Sequence, residues 1–452
     1  MAQSQKVSTA SQGNSYAEKL AEPLLKLAKA GGFSFLEGTI DGIANLNPDR
    51  KARKQIFLTD TEKKKEREDL HKTINMWVEL LENSNTVSEM ADTCKQKADL
   101  AGKELKKNLK DTLSITRELE TSYRTVAQFY KNTEVDKVNN VTILNANEDQ
   151  LKDLDNPLFI DYVSATLKQN FDRLDLRENY SLLVVPGYLG SNKVVEKWSK
   201  IAYENKAMLV TDFANLDKPD DVVEMFNSAN LTGGEAFRSN TIMTCNYLIG
   251  RGKADEVDEA EDIMVPGSAS LAGKMYTTLM SQVTAGKKHG AINEIDAVRF
   301  DLKKSEISHL EKIGLVPMVN EYGKVMAFSA KTLFNGDNIG LQTYSVVRVF
   351  DYITKVLFDF LNRRVFENWT SKTEADLRGQ IVRYLDSIKG PDGGLIEKFK
   401  IVRFEQDPIQ KDRIWLDLHI TPYFPAKSFV IKLDGHKGDD ESAEWNTEYA
   451  QG

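Results

Sequence analysis

The sequence predicts a mixed chain, α+β or α/β: a helical N-terminal region, an α/β middle, and a C-terminal region that closes in β-strands. Three observations predict it. From Thr61 to about Lys131 the chain is charged and almost free of Gly and Pro, with apolar residues at three- and four-residue steps. From Leu182 onwards, short apolar runs that stop at turn residues alternate with helical patterns. After Phe399 the apolar residues alternate singly with polar ones, the period of a half-buried strand. The corresponding regions are 1–60, an extension with a short helix and a linker strand; 61–150, helical; 151–330, α/β; 331–436, the C-terminal domain; and 437–452, an acidic tail read as disordered.

Residues 1–15 are rich in Ser, Gln and Ala and read as unstructured. Tyr16, Leu20, Leu24 and Leu27 then form one stripe of a short amphipathic helix, interrupted by Pro23 and stopped by Gly31-Gly32. In the helical region the apolar residues Leu70, Ile74, Trp77, Leu80 and Leu81, then Leu105, Leu109, Leu113, Ile115 and Leu119, predict two or three helices, with a break near Asn83-Ser84-Asn85. The basic run Lys63-Lys64-Lys65-Glu66-Arg67 reads as a solvated face, since no aromatic residues interleave with it.

In the middle region, strands are expected at Leu182–Val185, halted by Pro186-Gly187, and at 207–212, 241–246 and 315–320. Helices are expected at Val194–Asn205 and Asp220–Phe226. The acidic run from Asp255 to Asp262 reads as an exposed loop. The C-terminal third opens with a helix at 341–366 so apolar that it should be nearly buried. A more polar helix follows at 374–389, then strands at 399–404, 414–421 and 428–433. In the second of these Ile414, Leu416, Leu418 and Ile420 alternate with Trp415, Asp417 and His419.

Bulk composition bounds the function. The 452 residues allow two or three domains, and a net charge of -8 argues against a general nucleic-acid binder. Two cysteines, Cys94 and Cys245, make no disulfide framework and fit a reducing compartment. Without a leader-like apolar stretch at the start or a window fit for a membrane helix, the chain reads as cytoplasmic, with no membrane insertion.

Catalytic signatures are missing. Gly267-Ser268-Ala269-Ser270-Leu271-Ala272-Gly273-Lys274-Met275 has five residues between its glycines and Met after the lysine, whereas a phosphate loop needs four and a hydroxyl for Mg²⁺. It reads as a turn and the start of a helix. His71, His289, His309, His419 and His436 are scattered, without zinc spacing. Cys245, in a core strand, reads as a packed small hydrophobe. No cofactor, no metal and no catalytic residues are expected, and the chain reads as a structural protein, not an enzyme.

One order of motifs is more specific. Lys331-Thr332-Leu333 forms a turn, Val346-Val347-Arg348 starts a helix, and Phe366-Glu367-Asn368-Trp369 makes a corner. A helix with Tyr384-Leu385-Asp386, the turn Gly390-Pro391-Asp392-Gly393-Gly394 and a final strand at Pro425-Ala426-Lys427-Ser428-Phe429-Val430 follow. This order resembles the C-terminal half of contractile tail-sheath proteins. The long helical N-terminal region makes the chain similar to the large-subunit family of type VI secretion sheaths. The middle region, Val265 to Gly273, departs from the Pro-Arg-rich motif of the better-known proteobacterial members and resembles a divergent, Bacteroidetes-type branch. A one-component phage sheath is the alternative.

The resemblance implies a subunit without a nucleotide site, whose contraction is driven by assembly contacts. Its implied partners are a small TssB-type subunit, further copies of the chain in a helical polymer, an Hcp-type inner tube, a baseplate and a ClpV-type unfoldase ATPase. It implies strand exchange between subunits at Ile414, Trp415, Leu416, Leu418, Ile420, Phe429, Ile431 and Leu433, with residues 33–60 or the partner supplying the missing strands. The opposing expectation is that these strands only finish the chain's own domain. It further implies an inner-tube contact through Glu374, Asp376, Arg378, Arg383, Asp386 and Lys389, and an unfoldase-binding helix bearing Leu20, Leu24, Leu25 and Leu27.

Overall fold

The apolar runs of the middle region become strands because each is short, ends at a turn residue and can be covered on both faces. The computed structural model describes residues 59–138, 140–177, 179–390, 393–427, 430–437 and 440–450. The expected helix at 16–30 and most of the proposed linker strand at 33–60 lie outside the described residues. The chain divides into two compact units, Met1–Thr112 and Leu113–Gly452.

In the first unit, α1 (Lys64–Asn83) ends at Ser84 in extended conformation. Thr86 Oγ1 accepts from Glu89 N at 3.2 Å while Glu89 Oε2 accepts from Asn85 N at 2.9 Å, a reciprocal cap that starts α2 (Val87–Asn132). The predicted break at 83–85 therefore has a capping cause. Ile74, Val78 and Leu81 form a small apolar cluster on α1. The basic run is solvated except at Arg67, which is buried and donates from Nη1 to Asp60 O at 2.5 Å.

The second unit is built on a five-stranded sheet in the order β1-β2-β3-β6-β7. Strands β1 (Leu182–Tyr188), β2 (Met208–Asp212), β3 (Thr241–Cys245) and β6 (Val316–Glu321) are parallel, and β7 (Lys324–Ala327) returns antiparallel to β6. The β6–β7 hairpin turns on Tyr322-Gly323, both at positive φ (56° and 72°), the conformation that matches the twist of the flanking strands. Preceding β1 are α3 (Glu148–Lys152) and α4 (Leu158–Phe171); α5 (Asn192–Glu204) and α6 (Pro219–Ala229) are the crossovers to β2 and β3. A small hairpin, β4 (Leu248–Arg251) and β5 (Ile263–Val265), precedes α7 (Ser268–Thr277); α8 (Gly286–His289) and α9 (Lys304–Lys312) precede β6.

Successive residues of each strand face opposite sides of the sheet, and both faces are covered. Leu209, Met243, Cys245 and Val319 join the core formed with Ile160, Val163, Trp198, Ile201 and Phe226. Met208, Val210, Ile242, Val316 and Met318 join the other core with Leu271, Met275, Tyr344 and Val347. A third core lies among α10 (Tyr344–Asn362), α11 (Ser371–Ser387), β8 (Ile396–Gln406) and β9 (Ile414–Pro422).

Four expectations are corrected. Strand β1 continues through Pro186-Gly187 to Tyr188, with a register shift after Val185. Gly187, at φ 96°, makes this irregularity possible, and its backbone is held by Asp212 Oδ2 (from Gly187 N, 2.9 Å) and by Thr211 Oγ1 donating to its carbonyl (2.9 Å). The acidic run is no free loop: Val257 is buried, and Glu259 receives Arg251 Nη1 at 2.8 Å and Arg117 Nη1 at 2.9 Å. These charge-assisted bonds, Arg251 first, hold the Glu259 carboxyl down at about 2. Helix α10 is nearly buried only in its first turns, where residues 344–349 are covered on every side; beyond them one face meets the cores, and Phe350, Tyr352 and Phe358 are exposed. The tail expected to be disordered contains β11 (Asp440–Ala450), antiparallel to β10 (Val430–Lys437). Its acidic composition hides the alternation of Ala443, Trp445, Thr447 and Tyr449 with Glu444, Asn446 and Glu448.

The strand ends are tied by one carboxylate. Asp212, fully buried at the end of β2, accepts from Gly187 N of β1, from Thr244 Oγ1 of β3, and from both Ser268 N (2.9 Å) and Ser268 Oγ (2.5 Å) at the start of α7. Burial raises its pKa more than these four donors lower it. Asp212→Ala leaves all four donors without that acceptor and should cost about 3–5 kcal/mol, while Asp212→Asn, which keeps a carbonyl oxygen, should cost less. Denaturant unfolding of the full chain, followed through buried Trp198, reads this out. A loss below about 1 kcal/mol for Asp212→Ala contradicts the account.

Candidate assembly surfaces

The C-terminal strands form two separate ribbons, because each pairs only with its neighbour in sequence. Strands β8 and β9 make one two-stranded antiparallel sheet and β10 and β11 another. Among the described residues no strand pairs with the outer edge of either ribbon. An isolated two-stranded ribbon is marginal in water, and an open edge exposes a row of backbone donors and acceptors.

The predicted exchange residues divide by position. Leu416, Leu418 and Ile420 turn their alternate face onto the third core, so their side chains complete this chain's own domain. Ile414 and Trp415 stand at the exposed start of β9. The Trp415 indole donates to Asp407 Oδ2 at 2.9 Å and lies under the Arg403 guanidinium at 4.5 Å, which fixes the ring at the ribbon's end. Ile431 is exposed on β10, and Leu433 stands in β10 opposite Thr447. Phe429 lies outside the described residues. The four unfoldase-helix residues, Leu20, Leu24, Leu25 and Leu27, also lie outside them.

Helix α11 buries Leu377, Ile381 and Leu385 and starts at Thr370, whose Oγ1 accepts from Thr373 N. Its charged residues are not equivalent. Glu374 and Arg378 pair at 3.1 Å, and Arg378 also donates to Phe404 O of β8 and lies over the Phe404 ring, so both brace the domain. Asp376 is held by Arg364 at 2.8 Å, which lowers its pKa. Lys389 is over the Phe399 ring at 5.9 Å. Arg383 and Asp386 are exposed, and among the described residues Arg383 makes no ion pair.

The long helix α2 offers a further surface. Leu100, Leu105 and Leu109 are exposed on its part in the first unit, and Ile115, Leu119, Tyr123 and Val126 on its part in the second. Its last turns are held by polar contacts. Arg251 bridges Glu120 (2.9 Å) and Glu259, and Asn132 Oδ1 accepts from Asn293 N at 2.7 Å. The backbone of α7 comes so close that a Cβ on Gly273 would lie 2.4 Å from Phe129 O. Sequence reasoning missed this clasp because its partners are more than 100 residues apart.

Among the described residues no group of His, Cys, Asp and Glu could hold a metal ion, and no helix is long and apolar enough to cross a membrane. A cleft of about 1360 Å³ opens beside the end of β1, between α2, residues 140–149 and α7. Phe129, Val141, Leu144, Tyr188 and Tyr276 contribute its apolar wall. Cys245 is buried, its thiol pKa raised by burial, and Cys94 is exposed.

Three family models match in succession: "TssC/VipB-like, N-terminal region" over residues 20–109, "Type VI secretion system TssC/VipB, central domain" over 111–335, and "TssC/VipB-like, C-terminal domain" over 343–451. A tail sheath protein of Vibrio phage KVP40 is 23% identical over 224 residues, 47% of this chain and 33% of the phage protein, so the match spans a third of that relative's length. Similar solved structures include the helical sheath of the anti-feeding prophage in its contracted state, with 16% identity and TM-score 0.48 over 71% of this chain and 82% of that one. Another is the contracted PVC sheath complex of an extracellular contractile injection system, with 14% identity and TM-score 0.42 over 55% of this chain and 68% of that one.

If α11 meets a partner, it does so through its outward charges and not through the pairs that brace β8. Charge reversal at Arg383 and Asp386 together should leave the melting temperature within about 2 °C, since exposed charges contribute little to stability. It should weaken co-sedimentation with an inner-tube protein at low salt at least tenfold. Unchanged co-sedimentation removes α11 from the contact.

With its three regions matched in order along nearly the whole sequence, the chain belongs to the TssC/VipB family of type VI secretion sheath proteins.

Proposed function

We propose that this chain is the large structural subunit of a contractile sheath, which polymerises with a small TssB-type subunit around an Hcp-type inner tube on a baseplate. Contraction then propels the tube for effector delivery. The observation that carries this reading is the pair of two-stranded C-terminal ribbons with open edges, on a chain whose family is that of the sheath. A subunit in an open helical polymer must offer different surfaces to different neighbours, and strand addition supplies one such contact. Ile414, Trp415, Phe429, Ile431 and Leu433 are the proposed exchange positions. Leu416, Leu418 and Ile420 support them from the chain's own core.

The exposed apolar residues of α2 suit a second contact, the packing of a partner helix from the small subunit. The outward charges of α11 suit the inner tube. The segment with Leu20, Leu24, Leu25 and Leu27 is the proposed handle for a ClpV-type unfoldase. No catalytic step is needed: the extended sheath is a metastable packing and the contracted one makes more contacts. The chain works in the cytoplasm, without membrane insertion, nucleic acid or cofactor. The alternative, a one-component phage-type sheath, is favoured only by the similarity to the KVP40 tail sheath protein.

Truncation before Arg413 removes β9, β10 and β11 together. It should abolish polymer while the buried five-stranded sheet of residues 182–327 still gives a folded protein. Truncation before Val430 removes only the terminal ribbon and leaves the third core intact, and it too should abolish polymer in a sedimentation assay. Normal tubes from both truncations exclude strand exchange at this end.

A further inference from the structure

The cleft beside β1 runs along the open edge of the central sheet. Strand β1 is the outermost strand on that side, and Ser181 O, just before it, accepts from Met208 N of β2. Backbone groups of successive strand residues point to opposite sides of the strand. The amides and carbonyls of Leu182 and Val184 therefore face away from β2, and no backbone hydrogen bond reaches them from any described residue. Pro186, two residues further on, suits an edge strand because it has no amide to donate.

Both layers that cover the sheet also border the cleft. From one side α4 contributes Phe159, Val163 and Leu167, and from the other α7 contributes Ala269 and Tyr276. Val163 and Leu167 belong to the core on one face of the sheet, and Leu271 and Met275 of α7 to the core on the other. The two layers thus flank the place where a further strand would lie, roughly 4.8 Å from β1. Residues 140–146 form the outer wall and make no backbone hydrogen bond with any described residue. Val141 and Ile143, alternate residues of that wall, are 42% and 59% exposed. Main-chain groups from two sides and an apolar lining face one gap of about 1360 Å³.

We propose that this gap receives an extended segment of the small sheath subunit, which adds a strand to the outer edge of β1. A row of amides and carbonyls is satisfied by another main chain, and apolar side chains at alternate positions would meet the two layers. Contraction decides the source. It exchanges one packing of neighbouring subunits for another, so contacts between copies are broken and remade. A strand clasped between two core layers cannot leave without opening both, so it belongs to a chain that stays with each copy throughout. Permanent interfaces of that kind resemble a domain core cut in half. The small subunit is that chain under the sheath reading above, on which this assignment rests and to which it adds the place where the two chains join.

Hydrogen–deuterium exchange of the full chain, alone and co-purified with the adjacent gene product, tests this at the Leu182 and Val184 amides. In the complex they should exchange as slowly as the Leu209 and Val210 amides of β2, and in the chain alone at least a hundredfold faster. Fast exchange in the complex overturns the inference. Protection already present in the chain alone overturns it too, because a segment of this chain then fills the gap. Val184→Pro removes one outward amide, a change that an unpaired edge strand tolerates. It should lower capture of the adjacent gene product at least tenfold while the melting temperature of the uncomplexed chain stays within about 4 °C of wild type; undiminished capture contradicts the proposal. A photo-reactive benzophenone side chain in place of Ile143 identifies the occupant, and it still decides where Val184→Pro fails to fold. An adduct with the adjacent gene product is expected, and an adduct with a second copy of this chain overturns the assignment. If the wild-type chain does not bind the adjacent gene product at all, the sheath reading has failed; a complex with unprotected amides contradicts this inference alone.

Discussion

The second unit depends on what happens at one buried carboxylate. Parallel strands end side by side, with backbone donors that no further strand can take up. Asp212 takes them in one place: the Gly187 amide of β1, the Thr244 hydroxyl of β3, and the amide and hydroxyl of Ser268 at the start of α7. Burial disfavours the charge, while the donors and the positive end of α7 favour it. Because these four bonds reach three elements, they fix the height at which α7 crosses the sheet. That position brings Gly273 against Phe129 and so sets where the last turns of α2 lie.

The same geometry explains a motif that imitates a phosphate loop. Between Gly267 and Gly273 the spacing and the methionine after Lys274 depart from a phosphate loop, and the structure gives both ends another task. Ser268 binds Asp212, and Gly273 admits the α2 backbone. Reading this run as a turn and a helix start was sound, but its reason could not be read locally, since Asp212 lies 56 residues earlier.

What was legible follows physical periodicity. The two long helices, the break at Asn83, the four parallel strands and the alternation in β9 all come from patterns within a few residues, and the structure has each of them. Where the pattern was hidden by composition, the reading failed: the acidic tail contains β11, and the acidic run around Glu259 is anchored by Arg251 and Arg117. Apolar content alone also overstated burial in α10, whose aromatic residues Phe350 and Phe358 are exposed. Of the candidate surfaces, the order of motifs located the C-terminal ribbons and α11. It could not separate Glu374 and Arg378, which brace β8, from Arg383 and Asp386, which face outward.

These features together describe a subunit whose core is complete but whose edges are not. The five-stranded sheet is covered on both faces, whereas among the described residues the terminal ribbons keep unpaired outer edges and α2 keeps exposed apolar residues. The most direct test is negative-stain electron microscopy of the chain expressed alone and with the product of the adjacent gene. Hollow helical tubes only on co-expression are the predicted result. Compact particles in both samples would contradict the account.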